Sequence, residues 1–269
     1  MLSPLYGQLS PLRVPSKSGR APVSDSDAEA YLLAIEAADL QPIEDGVANA
    51  INSFVIGCKA DGIWSSIKSS CILAGARTLP GALVPLVGTA PTPVSFVSAD
   101  YNRTTGLLGN GTTKYLNSNR NNNADPQNNF HSSVYLNLIG IDGRAYIGVG
   151  GNNTTGTTHL FANAGSFASR NRTSSILTGG LASTGFLGHA RSAINAIKLR
   201  HNSTEYTASF NSAAPFSSDS FVFARGVSTT PQLLASGRIS FYSIGESLDL
   251  AALDSRVSTL MTALVAAIP

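Results

Sequence analysis

Ser133-Val134-Tyr135-Leu136-Asn137-Leu138-Ile139-Gly140-Ile141-Asp142-Gly143-Arg144-Ala145-Tyr146-Ile147-Gly148-Val149 is the stretch on which the reading of the fold turns. Two runs, Ser133–Leu138 and Ala145–Val149, are rich in β-branched and aromatic residues. Between them sits Asp142-Gly143, a dipeptide suited to positive-φ turn positions. The stretch reads as two strands separated by a turn.

Outward from it the same pattern repeats. Short runs with strand character lie at Phe96–Val97, Tyr115–Leu116, Thr158–Phe161, Ala193–Arg200, Glu205–Phe210, Ser220–Ala224 and Gly237–Ile244. Asn110-Gly111 and Gly150-Gly151 supply further turn signals. About nine to twelve strands at this spacing predict a mainly β, two-sheet sandwich over residues 95–246 and not alternating βα units.

Helical periodicity appears on both flanks. Residues 24–78 read as a helical region: Ser24 or Asp25 can cap a first helix that places Tyr31, Leu32, Ile35 and Ala38 on one face. Pro42 opens a second, with Ile43, Val47, Ala50, Ile51, Phe54 and Val55 at helical spacing. A third is expected over Gly62–Ala74, carrying Ile63, Trp64, Ile67, Cys71 and Ile72. Residues 79–94 hold Pro80, Pro85, Pro91 and Pro93 and read as a connection. At the other end, residues 247–269 carry Leu248, Leu250, Leu253, Val257, Leu260, Met261, Leu264 and Val265 at helical spacing. This is the clearest helix signal in the chain.

Residues 1–23 alternate Pro4, Pro11, Pro15 and Pro22 with Leu2, Leu5, Tyr6, Leu9, Leu12 and Val14. Proline at this density forbids a helix interior or a central strand, so the segment reads as an extended arm. It either docks its apolar residues on a neighbouring chain or hangs as a tail. The segment has neither the basic start nor the apolar run of a secretory signal, and no stretch of the chain has the roughly 18 consecutive apolar residues of a membrane span.

Composition narrows the function classes. Of 269 residues only 13% are charged and the net charge is +2, which gives no electrostatic footprint for nucleic acid or an anionic membrane. Cys58 and Cys71 have no CxxC or His/Cys companions. They are either a local disulfide or two buried thiols. The acids of the body are few, and no ExDxE run, Gly-x-Ser-x-Gly, HxH or HExxH is present. The expectation is a protein without catalytic residues, metal or cofactor. Gly106-Leu107-Leu108-Gly109 lacks the Lys-Ser/Thr that a phosphate loop needs and reads as part of a hairpin.

Seven of the thirteen residues from Asn117 to Asn129 are Asn. Such a loop can bind sugar hydroxyls through its amides, or can simply supply left-handed turns and Asx hydrogen bonds. With Tyr115 and Tyr206 as aromatic surfaces, the candidate glycan-binding set is Tyr115, Asn117, Asn119, Arg120, Asp125 and Tyr206.

Gly109-Asn110-Gly111-Thr112-Thr113-Lys114-Tyr115-Leu116-Asn117, Ser133-Val134-Tyr135-Leu136 and Gly237-Arg238-Ile239-Ser240-Phe241-Tyr242-Ser243-Ile244-Gly245-Glu246-Ser247-Leu248 together resemble the concanavalin A-like (laminin-G-like) jelly-roll proteins of tailed-bacteriophage structural gene clusters. Ala60-Asp61-Gly62-Ile63-Trp64-Ser65 and Ala74-Gly75-Ala76-Arg77-Thr78 are similar to segments ahead of the jelly roll in such proteins. The resemblance implies an antiparallel jelly-roll sandwich on the virion surface, as a fibre, spike or head decoration. It implies other virion proteins as partners through the N-terminal arm, and host surface carbohydrate as a ligand class. It matches no calcium or sugar ligand to positions here. The apolar helical faces, the C-terminal one above all, lead to the expectation of a homo-oligomer, a trimer, unless that helix lies on its own sandwich.

Overall fold

The computed structural model describes residues 19–151 and 154–269, so the arm from Leu2 to Val14 lies outside the described residues. In chain order the elements begin with α1 (Ser26–Asp39), α2 (Asp45–Ala60), β1 (Ile67–Ile72), α3 (Leu79–Ala82), β2 (Thr92–Val94), β3 (Tyr101–Asn102) and β4 (Gly106–Leu108). There follow β5 (Tyr115–Asn121), β6 (Phe130–Leu138), β7 (Ala145–Val149), β8 (Thr158–Asn163), β9 (Ser166–Asn171), β10 (Leu177–Leu181) and β11 (Gly185–Ala193). The chain closes with β12 (Ala196–His201), β13 (Thr204–Ser209), β14 (Asp219–Val222), β15 (Arg225–Val227), β16 (Thr230–Gln232), β17 (Arg238–Gly245) and α4 (Leu250–Ala267).

The strands form two sheets, a mainly β antiparallel sandwich. One runs β13-β12-β11-β6-β17-β4-β3, with β1 also paired to β17; the other runs β10-β9-β8-β7-β14-β5-β2, with the β15–β16 hairpin attached at β7. Among the described residues only the β15–β7 contact is parallel. β6 and β7, the strands of the stretch quoted first, lie in different sheets, so the Asp142-Gly143 turn is a crossing between layers and not a hairpin. Gly143 has φ +73°, the left-handed conformation that the turn requires.

Alternation along each strand builds the inter-sheet core. Phe130, Val134 and Leu136 from β6 meet Leu187 and Leu199 from β11 and β12, and Leu116, Leu160 and Phe167 from the facing sheet. All are essentially inaccessible to water, and burying each such side chain contributes about 1.5–3 kcal/mol.

A helical layer covers the outer face of the first sheet. Asp25 caps α1 by accepting from the amides of Asp27 and Ala28. Tyr31, Leu32 and Ile35 of α1 and Val47, Ile51, Phe54 and Val55 of α2 form one core with Phe186 and Phe241 of the sheet and Leu253, Val257, Leu260 and Leu264 of α4. Phe54 packs edge-on to Phe241, with ring centroids 5.8 Å apart. The described residues are therefore three layers deep, helices on sheet on sheet, and among them no helix covers the far face of the second sheet.

Two expectations change. Residues 67–72, read as part of a third helix, form β1, which pairs with residues 241–245 of β17. Alternation puts Ile72 toward the helical layer and its neighbour Cys71 toward the inter-sheet core, and a bulge between Ile67 and Ser69 brings Ile67 to the helical side as well. The apolar stripe of α4, held available for a neighbouring subunit, is covered by α2 and the sheet of its own chain. α4 has 18 residues and the composition of a possible membrane span, but that stripe is the one packed in this core. Cys58 and Cys71 are both free thiols and buried.

Candidate functional site

The β5 end of the second sheet's outer face, which carries no helix among the described residues, holds the candidate site. Leu116 points into the core, so alternation along β5 turns Tyr115 and Asn117 outward. On the neighbouring β14, Val222 points inward and Phe221 outward. Tyr115 and Phe221 stack with centroids 4.8 Å apart and planes at 25°. The Asn117 amide donates to Asp219 Oδ2 at 3.1 Å.

A bulge then lifts the next residue. The β5–β14 register shifts between Asp219 and Phe221, and Asn119 takes φ +54°, a conformation Asn tolerates better than most residues. Its amide donates to the Ala90 carbonyl at 2.8 Å and to Thr92 Oγ1 at 3.0 Å, which ties β2 to the patch. The β15–β16 hairpin bounds the other side. Gly226 lies against the Phe221 ring, and a Cβ there would come within 2.6 Å of the Asp219 carbonyl oxygen. The result is an open platform, with a half-buried tyrosine face flanked by an amide–carboxylate pair and an exposed asparagine. Such a surface offers an apolar ring to the C–H face of a sugar and convergent donors and acceptors to its hydroxyls.

The six candidate residues divide into three groups. Tyr115, Asn117 and Asn119 share the platform. Arg120 and Asp125 form a bidentate ion pair that fastens the loop after β5: Arg120 Nε lies 3.0 Å from Asp125 Oδ2, and the Asp125 side chain is 2% exposed. With both carboxylate oxygens engaged and buried, this pair holds the loop and is not free to meet a ligand. Tyr206 sits on β13, at the opposite edge of the sandwich, with its hydroxyl against Gly180 of β10. Asp219 and Phe221 were missed in the sequence. Only strand pairing brings them to residues about a hundred positions earlier, and no local pattern announces it.

The histidines lie in the interior. His189 is hydrogen-bonded to Ser132 at 2.7 Å and to Ser169 at 2.6 Å, a bridge between the sheets. His131 is hydrogen-bonded to the Glu246 carbonyl and to Ser243, which in turn contacts Ser133 at 2.9 Å. Burial pushes the His131 imidazole down to about 4 and holds His159 and His189 well below the usual value. All three are neutral at neutral pH, His131 and His189 as hydrogen-bonded bridges and His159 packed beside Phe161. Among the described residues there is no group of three or more His, Cys, Asp or Glu that could hold a metal. Most carboxylates are ion-paired, as in Asp25–Lys59, Glu44–Arg103, Asp100–Lys114, Asp254–Arg200 and Asp61–Arg256.

Grooves exist elsewhere. One of about 450 Å3 is lined by Tyr31, Trp64 and Leu86 beside α1, and one of about 380 Å3 by Phe54, Arg256 and Leu260 between α2 and α4. Both belong to the helical layer.

No protein-family model matches the chain, and no curated protein matches it. Solved structures with a similar arrangement include the CBM40 of the Ruminococcus gnavus IT-sialidase, at 14% identity and TM-score 0.37 over 48% of this chain and 83% of that one. Domain 4 of AbnA, an extracellular GH43 arabinanase of Geobacillus stearothermophilus in complex with arabinotriose, matches at 16% identity and TM-score 0.39 over 65% of this chain and 82% of that one. NanB sialidase of Streptococcus pneumoniae matches at 12% identity and TM-score 0.37 over 49% of this chain, a match spanning only 24% of the sialidase. Likenesses this distant assign no function, which has to come from the chain's own geometry.

Proposed function

We propose that this chain is a non-enzymatic structural component of a bacteriophage virion that displays a β-sandwich at the particle surface, with the helix-free sheet face recognising host surface carbohydrate. The observation that carries the reading is the asymmetry of the layers. One sheet is sealed by helices that share its core, whereas on the other the loop residue Leu233 packs over Ala145, Phe161 and Ala168, and at the β5 end Tyr115, Asn117 and Asp219 are half-buried and Asn119 is exposed. The N-terminal arm is the proposed attachment to other virion proteins. The virion assignment itself rests on the resemblance of the strand-entry and closing segments to phage jelly-roll proteins.

An array of bacterial surface polysaccharides tests the binding half. The full chain should bind one or more members, and Tyr115→Ala or Asn117→Ala should weaken that binding roughly tenfold or more while each variant keeps the circular dichroism of the folded chain. Retained binding in both variants would reject the platform. Mass spectrometry and immunogold labelling of purified particles test the other half. Absence of the chain from intact particles would reject the virion role.

A further inference from the structure

Two arginines are sealed inside one end of the sandwich without a carboxylate to neutralise them. Arg172, just past β9, and Arg191, on β11, are each 0% exposed. Arg172 donates to the backbone carbonyls of Asn122, at 2.7 Å, and Pro126, and its guanidinium carbon lies 4.4 Å from the centroid of the Phe130 ring. Arg191 donates to the carbonyl of Asn171 at 2.8 Å and to those of Ala193, Ile194 and Phe210. Among the described residues neither side chain has an ion pair, because the nearby Asp125 is already held bidentate by Arg120. Burial lowers the proton affinity of both, with Arg172 down to about 10, yet both stay charged at neutral pH.

The hydrogen bonding is also incomplete. Arg172 Nε, Arg191 Nη2 and Asn171 Nδ2 are buried donors with no protein partner, and Asn171 Oδ1 and Asn122 Oδ1 are buried acceptors with none. Asn171 precedes Arg172 in the chain and is bonded to Arg191, and Arg172 is bonded to Asn122, so the four residues are contiguous. Arg120, Arg172 and Arg191 set against Asp125 leave two positive charges in excess in a region removed from water. An uncompensated buried charge is strongly unfavourable, and three unpartnered donors beside two such charges suit an anion better than a neutral molecule.

We infer that this end of the sandwich, capped by residues 122–128, binds a monovalent anion of halide size between Arg172, Arg191 and Asn171. The site is separate from the carbohydrate platform. The two unpartnered amide oxygens favour a small ion that can sit on the donor side, over an extended oxyanion.

The test replaces gluconate by chloride at constant ionic strength while following the thermal midpoint of the full chain. Saturable stabilisation is expected, about 5 °C or more once chloride reaches roughly a hundred times its dissociation constant. Asn171→Asp, which is isosteric and supplies an internal negative charge, should melt higher than the wild type in gluconate and lose the chloride response. Crystals grown in bromide should show an anomalous peak within hydrogen-bonding reach of Arg172 Nε and Arg191 Nη2. A wild-type midpoint indifferent to chloride, an equal chloride response in Asn171→Asp, or ordered water only at the site would each overturn the inference.

Discussion

At the residue scale, environment gives the asparagines of β5 and of the loop after it different jobs. Asn117 and Asn119 face outward beside Tyr115, Asn117 donating to Asp219 and Asn119 donating to Ala90 and Thr92, whereas Asn122, five positions from Asn117, is fully buried and donates to the Gly156 and Phe216 carbonyls. Composition alone could mark the Asn-rich stretch as polar loop or ligand surface. It could not sort the members, because that depends on which face of the sheet each occupies and on a bulge at Asn119. Arg120 and Asp125 show the same effect: a pairing that looked available to a ligand is closed on itself. Removing one partner leaves the other buried or half-buried without compensation, so Asp125→Ala should lower stability by about 2–4 kcal/mol in urea unfolding. Tyr206→Ala should leave polysaccharide binding unchanged, since its ring packs at the far edge against Gly179 and Gly180.

At the element scale, α1 and α4 were legible from their spacing and caps and α2 from its spacing, though it starts at Asp45 and not at Pro42; α3, inside the stretch read as a connection, was missed, while strands with strong side-chain signals such as β6, β7 and β17 were legible. β9 and β11 were not. Ser166-Phe167-Ala168-Ser169-Arg170-Asn171 and Gly185-Phe186-Leu187-Gly188-His189-Ala190-Arg191-Ser192-Ala193 are poor in β-branched residues. They become strands because Phe167 and Leu187 fill the inter-sheet core, while Phe186 fills the helical one. β1 was misread for a related reason, since a short apolar run fits both periods until a partner strand selects one. The C-terminal helix illustrates how a face is committed. Asp249 caps it, and Asp254 accepts from Arg200 Nε and from the Ser203 amide, both at 2.8 Å, fastening α4 to β12 and the turn that follows it. Leu253→Ala should therefore destabilise the whole chain by about 2–5 kcal/mol, read in a single cooperative unfolding transition. A separate, early transition for the helices would show that the layers are not one unit.

At the scale of the whole molecule, the interior histidines set a pH dependence. Burial keeps His131, His159, His189 and His201 below the usual imidazole value. The unfolded chain therefore takes up protons near pH 6.5 that the folded chain refuses, down to about 4 at His131. Stability should be full above about pH 7 and fall as the pH drops from 6.5 towards 4, by about 1.4 kcal/mol per pH unit for each such imidazole. Carboxylates held low by their cationic partners, Asp25 by Lys59 and Asp100 by Lys114 among them, add their loss only at lower pH. Urea midpoints measured from pH 8 to pH 4 check this, and a flat profile down to pH 5 would contradict it. The central claim, that the helix-free sheet face is the recognition surface, is tested most directly by amide chemical-shift mapping during titration with an oligosaccharide from the host surface polysaccharide. The amides of Thr92, Tyr115, Asn117, Asn119 and Asp219 should shift together while those of α2, α4 and β13 stay fixed. Shifts confined to the helical layer, or none at saturating sugar, would contradict it.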